Sequence, residues 1–241
     1  MNNKIALVTG ANKGIGFQIA QQLGDRGYTV LIGSRDLARG EAAVKELVAG
    51  GIEAAAIQLD VTEESSVRAA AAQIGERHGR LDVLVNNAAI IADGDTAVSE
   101  IDADVLRRGY ETNVIGLISV TQAMLPLLRK AERARIVNLS TELSSLTAVG
   151  NPAHRASTVK MAGYNSSKIA VNMITVMLAN ELRGTGILVN AADPGRCATE
   201  MGGLDTPRTP AEGAAVAVRL ATLGENGHTG ELHSEAGRLP W

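Results

Sequence analysis

Residues 4–16 read KIALVTGANKGIG: an apolar, β-rich run that ends at Thr9 and passes through three glycines into FQIAQQLGDRG, a stretch of helical period. A strand running straight into a helix through Gly10, Gly14 and Gly16 needs residues that reverse tightly and let other groups approach the backbone. The amino terminus of the following helix favours negative charge, so the turn suits a pyrophosphate. Asn12, Lys13 and Ile15 sit between the glycines and would border the same ligand. The spacing is G-x3-G-x-G rather than the familiar G-x-G-x-x-G, and an ordinary strand-to-helix turn is the alternative reading. Its place in the first βα unit favours the dinucleotide.

Working outward, apolar runs alternate with longer segments of helical period. The runs are KIALVT, TVLIGS, AAAIQL, LDVLVN, RIVNLS, ILVNAA and, last, GELHSE. The helical segments fall at about 14–24, 36–49, 63–77, 98–129, 156–183 and 210–222. This alternation predicts βαβ units closing on a doubly wound parallel sheet of about seven strands, an α/β fold with helices on both faces. With no internal repeat and no low-complexity linker, one domain over residues 1–241 is expected. A net charge of -3 carries no basic excess for nucleic acid or anionic lipid. A single cysteine, Cys197, excludes an internal disulfide and fits a reducing compartment. The opening residues lack a secretory apolar core and no long apolar run is evident, so neither nucleic acid nor membrane is expected as a partner, and the address is cytoplasmic.

The end of the second strand, LIGSRD, says which dinucleotide. An acidic side chain there would accept from ribose hydroxyls, whereas a 2′-phosphate needs cations. Ser34 holds the ribose position, Arg35 follows, and Lys13 approaches from the glycine turn. NADP is therefore expected over NAD, with Asp36 the residue that argues the other way and two solvated cations the plainer reading.

The chemical end is carried by KMAGYNSSKIAVN, where Tyr164 and Lys168 stand four apart in a chain with three tyrosines. On a helix that spacing is one turn, with both side chains on one face. A phenol is a competent acid at neutral pH and a poor base, and a neighbouring ammonium would favour its phenolate. An exposed helix turn would show the same spacing, so context has to carry the pair.

Here the sequence resembles the short-chain dehydrogenase/reductase family, whose hallmarks are TGxxxGxG, NNAG and YxxxK. TGANKGIG, LDVLVNNAAI, YETNVIG, RIVNLST, YNSSK and LVNAADPGRCATEM match in family order across essentially the whole chain. The resemblance implies a Rossmann-type fold and an NADP-dependent oxidoreductase. It also implies that Asp60 and Val61 contact adenine, that Asn86 to Ala88 support the strand behind the cofactor, and that Asn113 holds a water in a proton relay. Pro194, Gly195, Cys197 and Thr199 would cradle the nicotinamide amide, and Lys168 its ribose. NNAA departs from NNAG at Ala89, a small-for-small exchange. The family's catalytic serine falls on Thr141, which keeps the hydroxyl but adds a methyl. Alternation along a strand separates Thr141 from Ser140, while Ser144 in the following loop stays open as the hydroxyl donor.

GELHSEAGRLPW, TPAEGAAVAVRLATL and the glycine turn itself resemble the carbonyl reductase branch, whose members reduce ketones and aldehydes with NADPH. Thr141 and Tyr164 lie 23 positions apart, longer than the usual family gap, and NPAHRASTVK is expected to form one wall of the substrate pocket. The short chain between Met201 and TPAEG leaves little for a lid. Glu231, His233 and Glu235 share a strand face but read as a solvated edge, and no metal is expected in the chemistry. Cys197 reads as a packing residue. KIAVNMITVMLANEL is apolar nearly all round, which suggests a homo-oligomer unless the insertion blocks that surface. The expected activity is reduction of a small-molecule carbonyl by hydride transfer, with Tyr164 as proton donor. An NAD-dependent alcohol dehydrogenase and a non-catalytic NADP-binding sensor are the alternatives.

Overall fold

All seven predicted strands form, and they join one sheet. A computed structural model describes residues 3–241, so the first two residues of the expected 1–241 domain lie outside the description. The strands are β1 (Ile5–Thr9), β2 (Thr29–Ser34), β3 (Ala54–Gln58), β4 (Val83–Asn86), β5 (Arg135–Leu139), β6 (Leu188–Ala192), β7 (Leu232–Ser234) and an eighth, β8 (Gly237–Leu239). Their order is β3-β2-β1-β4-β5-β6-β7-β8. The first seven are parallel and β8 returns antiparallel to β7. The strand order reverses beside β1, and the carboxyl ends of β1 and β4 there open the crevice where this topology binds ligands.

The helices are α1 (Gly14–Gly24), α2 (Leu37–Ala49), α3 (Glu64–His78), α4 (Ala103–Tyr110), α5 (Leu117–Leu128), α6 (Leu146–Val149), α7 (Ala162–Glu181) and α8 (Pro210–Ala221). Alternate residues of β1 feed two cores: Ala6 and Val8 pack with Ile19, Leu23 and Val216 from α1 and α8, while Ile5 and Leu7 pack with Ile74, Met124 and Leu182 from α3, α5 and the end of α7. Burial on both faces is why the parallel strands read as continuous apolar runs.

Two helix starts differ from expectation. The segment expected from about 98 begins at Ala103, because Asp102 accepts from the Asp104 amide at 2.7 Å and caps the helix there. The segment expected from about 156 begins at Ala162, since Arg155–Thr158 forms a separate tight turn. Between α4 and α5 the wider π turn Glu111–Gly116 keeps the helix continuous over Ala103–Leu128. By length and composition that run is long and apolar enough to cross a membrane, against the expectation that none would be. Val120, Met124 and Leu128 on it are wholly buried in the core shared with α3.

Candidate active site

The glycine turn is built for a close ligand. Gly10 and Gly14 have φ of +63° and +60°, the left-handed region that disfavours side chains. A Cβ on Gly16 would stand 2.5 Å from Asn87 Nδ2 and 2.7 Å from the Gly10 carbonyl. Asn87 in turn donates to the carbonyls of Thr9 at 2.8 Å and Gly10 at 3.2 Å, and Thr9 Oγ1 accepts from the amides of Asn87 and Ala88. The NNAA segment thus latches the turn to the end of β4 and holds its backbone in place. Asn86 lies one residue deeper. It donates to Thr121 and Asn138, both at 2.9 Å, and Asn138 donates to Thr175 at 2.9 Å. This buried ladder ties α5, β4, β5 and α7 together behind the cleft, so Asn86 supports the site from below.

At the end of β2 the Ser34 hydroxyl donates to the Asp36 carbonyl, and Arg35 is exposed. Asp36, the residue that argued against a 2′-phosphate, is occupied: it caps α2 by accepting from the Arg39 amide at 3.1 Å and pairs with the Arg39 side chain. Lys13 differs from expectation, because its ammonium pairs with Glu200 from the far side of the cleft. Contact with Lys13 lowers the Glu200 carboxyl's pKa.

Asp60 Oδ1 accepts from the Thr62 amide and hydroxyl, so its side chain is spent on the turn, while Val61 packs against Gly116. On the opposite lip, Gly195 has φ +69° and donates its amide to Asp193 Oδ1 at 2.9 Å. The Thr199 methyl would meet a Cβ on Gly14 at 3.5 Å, so the loop after β6 faces the glycine turn across the crevice. Pro194 is held by Arg208, whose Nε donates to its carbonyl at 2.8 Å. Cys197 is buried, and burial raises its thiol's pKa, which suits packing rather than attack.

Tyr164 and Lys168 share the face of α7 that looks toward the end of β5. Lys168 is buried and donates its ammonium to the Leu139 carbonyl at 2.7 Å, with Nζ 5.7 Å from the Tyr164 ring centroid. Burial pulls the Lys168 pKa down to about 8. The Tyr164 phenol goes the other way from the expected lowering by Lys168: burial pushes its pKa up and the Asp193 carboxylate adds to the rise. Burial thus disfavours the charged form of both groups, which favours the phenol over the phenolate at neutral pH.

The three candidate hydroxyls separate cleanly. Ser140 and Ser144 are buried and spent on one network: Ser140 Oγ donates to Asn172 Oδ1 at 2.7 Å and lies 3.0 Å from Ser144 Oγ, which accepts from Asn172 Nδ2 at 2.8 Å. Thr141 is half-buried, and its Oγ1 accepts from the Leu143 amide at 3.2 Å, leaving the hydroxyl proton to donate. Asn113 sits in the π turn with its side chain fully used: it accepts from the Ile90 amide at 2.8 Å and donates to the Ile90 carbonyl and to Ser167 Oγ.

With this geometry in view, comparison with known proteins is decisive. The short chain dehydrogenase family matches residues 4–208. The chain belongs to the short-chain dehydrogenase family. A short-chain dehydrogenase of Penicillium roqueforti, anuI, is 38% identical over 226 residues, 91% of this chain and 89% of its own. Carbonyl reductase [NADPH] 1 of Sus scrofa is 35% identical, covering 92% of this chain and 88% of its own. Among solved structures, NADPH-bound carbonyl reductase from chicken fatty liver aligns with a TM-score of 0.86 at 28% identity over 100% of both chains. These likenesses set this short-chain dehydrogenase in the carbonyl reductase branch, as an oxidoreductase.

Two acidic residues of this short-chain dehydrogenase escaped the sequence reading. Asp95, in the loop after β4, accepts from the amides of Gly163 at 2.9 Å and Tyr164 at 2.7 Å. Met161 makes no side-chain cap of its own, so α7 is capped from 69 positions before Tyr164. Asp193 is buried at the end of β6, beside Ser140, whose amide donates to the Ala192 carbonyl. Within NPAHRASTVK, His154 and Arg155 both turn to Glu142, and just before it Thr147 in α6 donates its amide and hydroxyl to the Trp241 carbonyl at 3.1 and 2.8 Å. On α7, Met173 and Met177 are exposed, the surface from which an oligomer was expected. At the chain's end Glu235 turns to Arg208, and His228 instead joins Glu231 and His233.

Proposed function

We propose that this chain, as one domain over residues 1–241 at a cytoplasmic address, reduces a ketone or aldehyde to an alcohol with NADPH. The bound dinucleotide would supply hydride to the carbonyl carbon. Gly10, Asn12, Gly14, Ile15 and Gly16 would hold its pyrophosphate, with Asp60 and Val61 at the adenine and Pro194, Gly195, Cys197 and Thr199 beside the amide. Arg35, together with Lys13 once it leaves Glu200, would favour the 2′-phosphate. Thr141 would donate a hydrogen bond to the carbonyl oxygen and fix its position, and Tyr164 would pass it a proton. Lys168 would hold the ribose and, once a cationic ring lies nearby, follow the proton demand of the phenol. Asn113 would offer a relay water its backbone carbonyl, since its side chain is fully bonded.

The single observation that carries this reading is the buried Lys168 one helical turn from Tyr164, with its ammonium bonded to the Leu139 carbonyl at the carboxyl end of β5 and 5.7 Å from the phenol ring centroid. The test is Tyr164→Phe assayed with a panel of ketones, aldehydes and quinones by NADPH absorbance, with NADH in parallel. Turnover should fall by at least about 100-fold while NADPH binding is spared. Near-normal turnover would reject the role, and preference for NADH would reject the cofactor.

A further inference from the structure

A second constellation lies at the other face of the sheet. His233 pairs in register with Ala192, which belongs to the core under α8, so it points away from α7 and Tyr164. Glu231, two residues earlier, shares that face, and its Oε2 is 2.8 Å from His233 Nε2. The His228 ring stacks on His233 with centroids 4.0 Å apart and planes 19° from parallel. His228 Nε2 is buried and has no hydrogen-bond partner. One ligating atom from each of the three residues lies within 4.8 Å of the other two.

The backbone that presents them is pinned. Asn190 Nδ2 donates to the His228 carbonyl at 2.8 Å, Gly230 donates its amide to Val189 at 2.7 Å, and the Glu231 amide donates to Asn190 Oδ1 at 3.2 Å. A buried imidazole nitrogen without a partner among the described residues, beside a carboxylate–imidazole pair on a fixed loop, is costly unless something completes it. Two imidazoles and a carboxylate match the donor set of zinc, and neither the all-oxygen shell of calcium or magnesium nor the sulfur ligands of cuprous copper.

We propose that His228, Glu231 and His233 bind one divalent cation of the zinc class, with water in a fourth position. A tetrahedral zinc ion would set its ligand atoms about 3.3 Å from one another, so the Glu231–His233 pair opens slightly and the two stacked imidazoles turn out of parallel to aim their ring nitrogens at one point. Arg238 pairs with Glu231 Oε1 at 3.2 Å, which orients the carboxylate and leaves Oε2 for the ion. Arg219 also stands close, donating to the Ser234 carbonyl at 2.6 Å. Two guanidinium groups repel a cation, so the site is of moderate affinity. Bound, the ion fastens the loop before β7 to the last hairpin, independently of the hydride chemistry.

The test uses the whole chain after chelator treatment, titrated with zinc by calorimetry and with cobalt by visible absorption. One ion per chain should saturate, with cobalt bands of tetrahedral intensity. Nuclear magnetic resonance of the unaltered protein should show the His228 and His233 ring signals moving while His78 and His154 stay in place. His228→Gln, at a partly exposed position, should weaken binding at least about tenfold and leave NADPH turnover unchanged. The proposal falls if no saturable binding occurs, if the His78 or His154 signals move instead, or if His228→Gln binds zinc as tightly as the parent.

Discussion

Replacing Asp95 should disable the chain's chemistry from outside the cleft. Its carboxylate is the side-chain cap of α7, taking the amides of Gly163 and Tyr164 at 2.9 and 2.7 Å, and the residue at the helix's own cap position adds nothing. Two hydrogen bonds to a charged, partly exposed acceptor at a helix start are together worth about 2–3 kcal/mol. In Asp95→Ala that loss falls on the first turn of α7, which carries Tyr164. That stability loss is the upper bound on the effect on rate, so at 1.4 kcal/mol per factor of ten kcat should drop by no more than about 30- to 150-fold. Asp95→Asn keeps one acceptor and loses the charge, so it should drop only about 5- to 15-fold. Gly163→Ala sets a Cβ 3.2 Å from Asp95 Oδ2 and should fall between the parent and Asp95→Asn. Affinity for NADPH, measured by its fluorescence, should stay within about twofold, because the glycine turn is latched by Asn87 and not by Asp95. If Asp95→Ala keeps both its melting temperature and its kcat, the cap does not position the tyrosine and the reasoning fails.

Lys168, with its pKa pulled down to about 8 by burial, makes stability depend on pH. The unfolded chain holds that proton up to about 10.4, so between about pH 8 and 10 unfolding takes up a proton at Lys168 and this group's contribution to stability rises with pH, while Cys197, Tyr28 and Tyr164, whose pKa values burial raises, contribute with the opposite sign. Lys168→Met should gain up to about 3 kcal/mol over the parent at neutral pH while abolishing turnover, and that gain should shrink as pH rises from about 8 to 10; a difference between the two proteins that does not change with pH would contradict the burial argument. Glu200→Gln frees Lys13 and removes a negative charge facing the 2′-phosphate, so KM for NADPH should fall while KM for NADH holds; an equal change in both would refute the assignment. Thr141→Ala should cost most of kcat and Thr141→Ser little, whereas Ser140→Ala should mainly lower the melting temperature by orphaning Asn172 Oδ1, and the reverse pattern would move the catalytic hydroxyl.

The parallel strands were legible because burial on both faces writes them as uninterrupted apolar runs. β8 was not, since Gly237–Leu239 is three residues long, carries an exposed arginine, and exists only because Gly237, at φ +117°, lets the chain double back. The helical segment expected from about 98 starts at Ala103 because the Asp102 side chain takes the Asp104 amide, a local hydrogen bond that the acid-rich SEIDAD stretch does not announce. Period-two alternation separated Ser140 from Thr141 along β5. It had no purchase on Ser144, whose burial with Asn172 depends on how α7 docks. The least readable features join distant carboxylates to the site: Lys13 finds Glu200 across 187 positions, Asp95 reaches α7 across 69, and Asp193 shows its influence on Tyr164 only once β5 and β6 lie side by side.

Trp241 is the chain's sole tryptophan, and its carbonyl is tethered to Thr147 on the segment that follows Thr141. The protein therefore carries its own optical reporter: emission excited in the indole band should track any displacement of α6 as substrate arrives, without a dye or a labelling step.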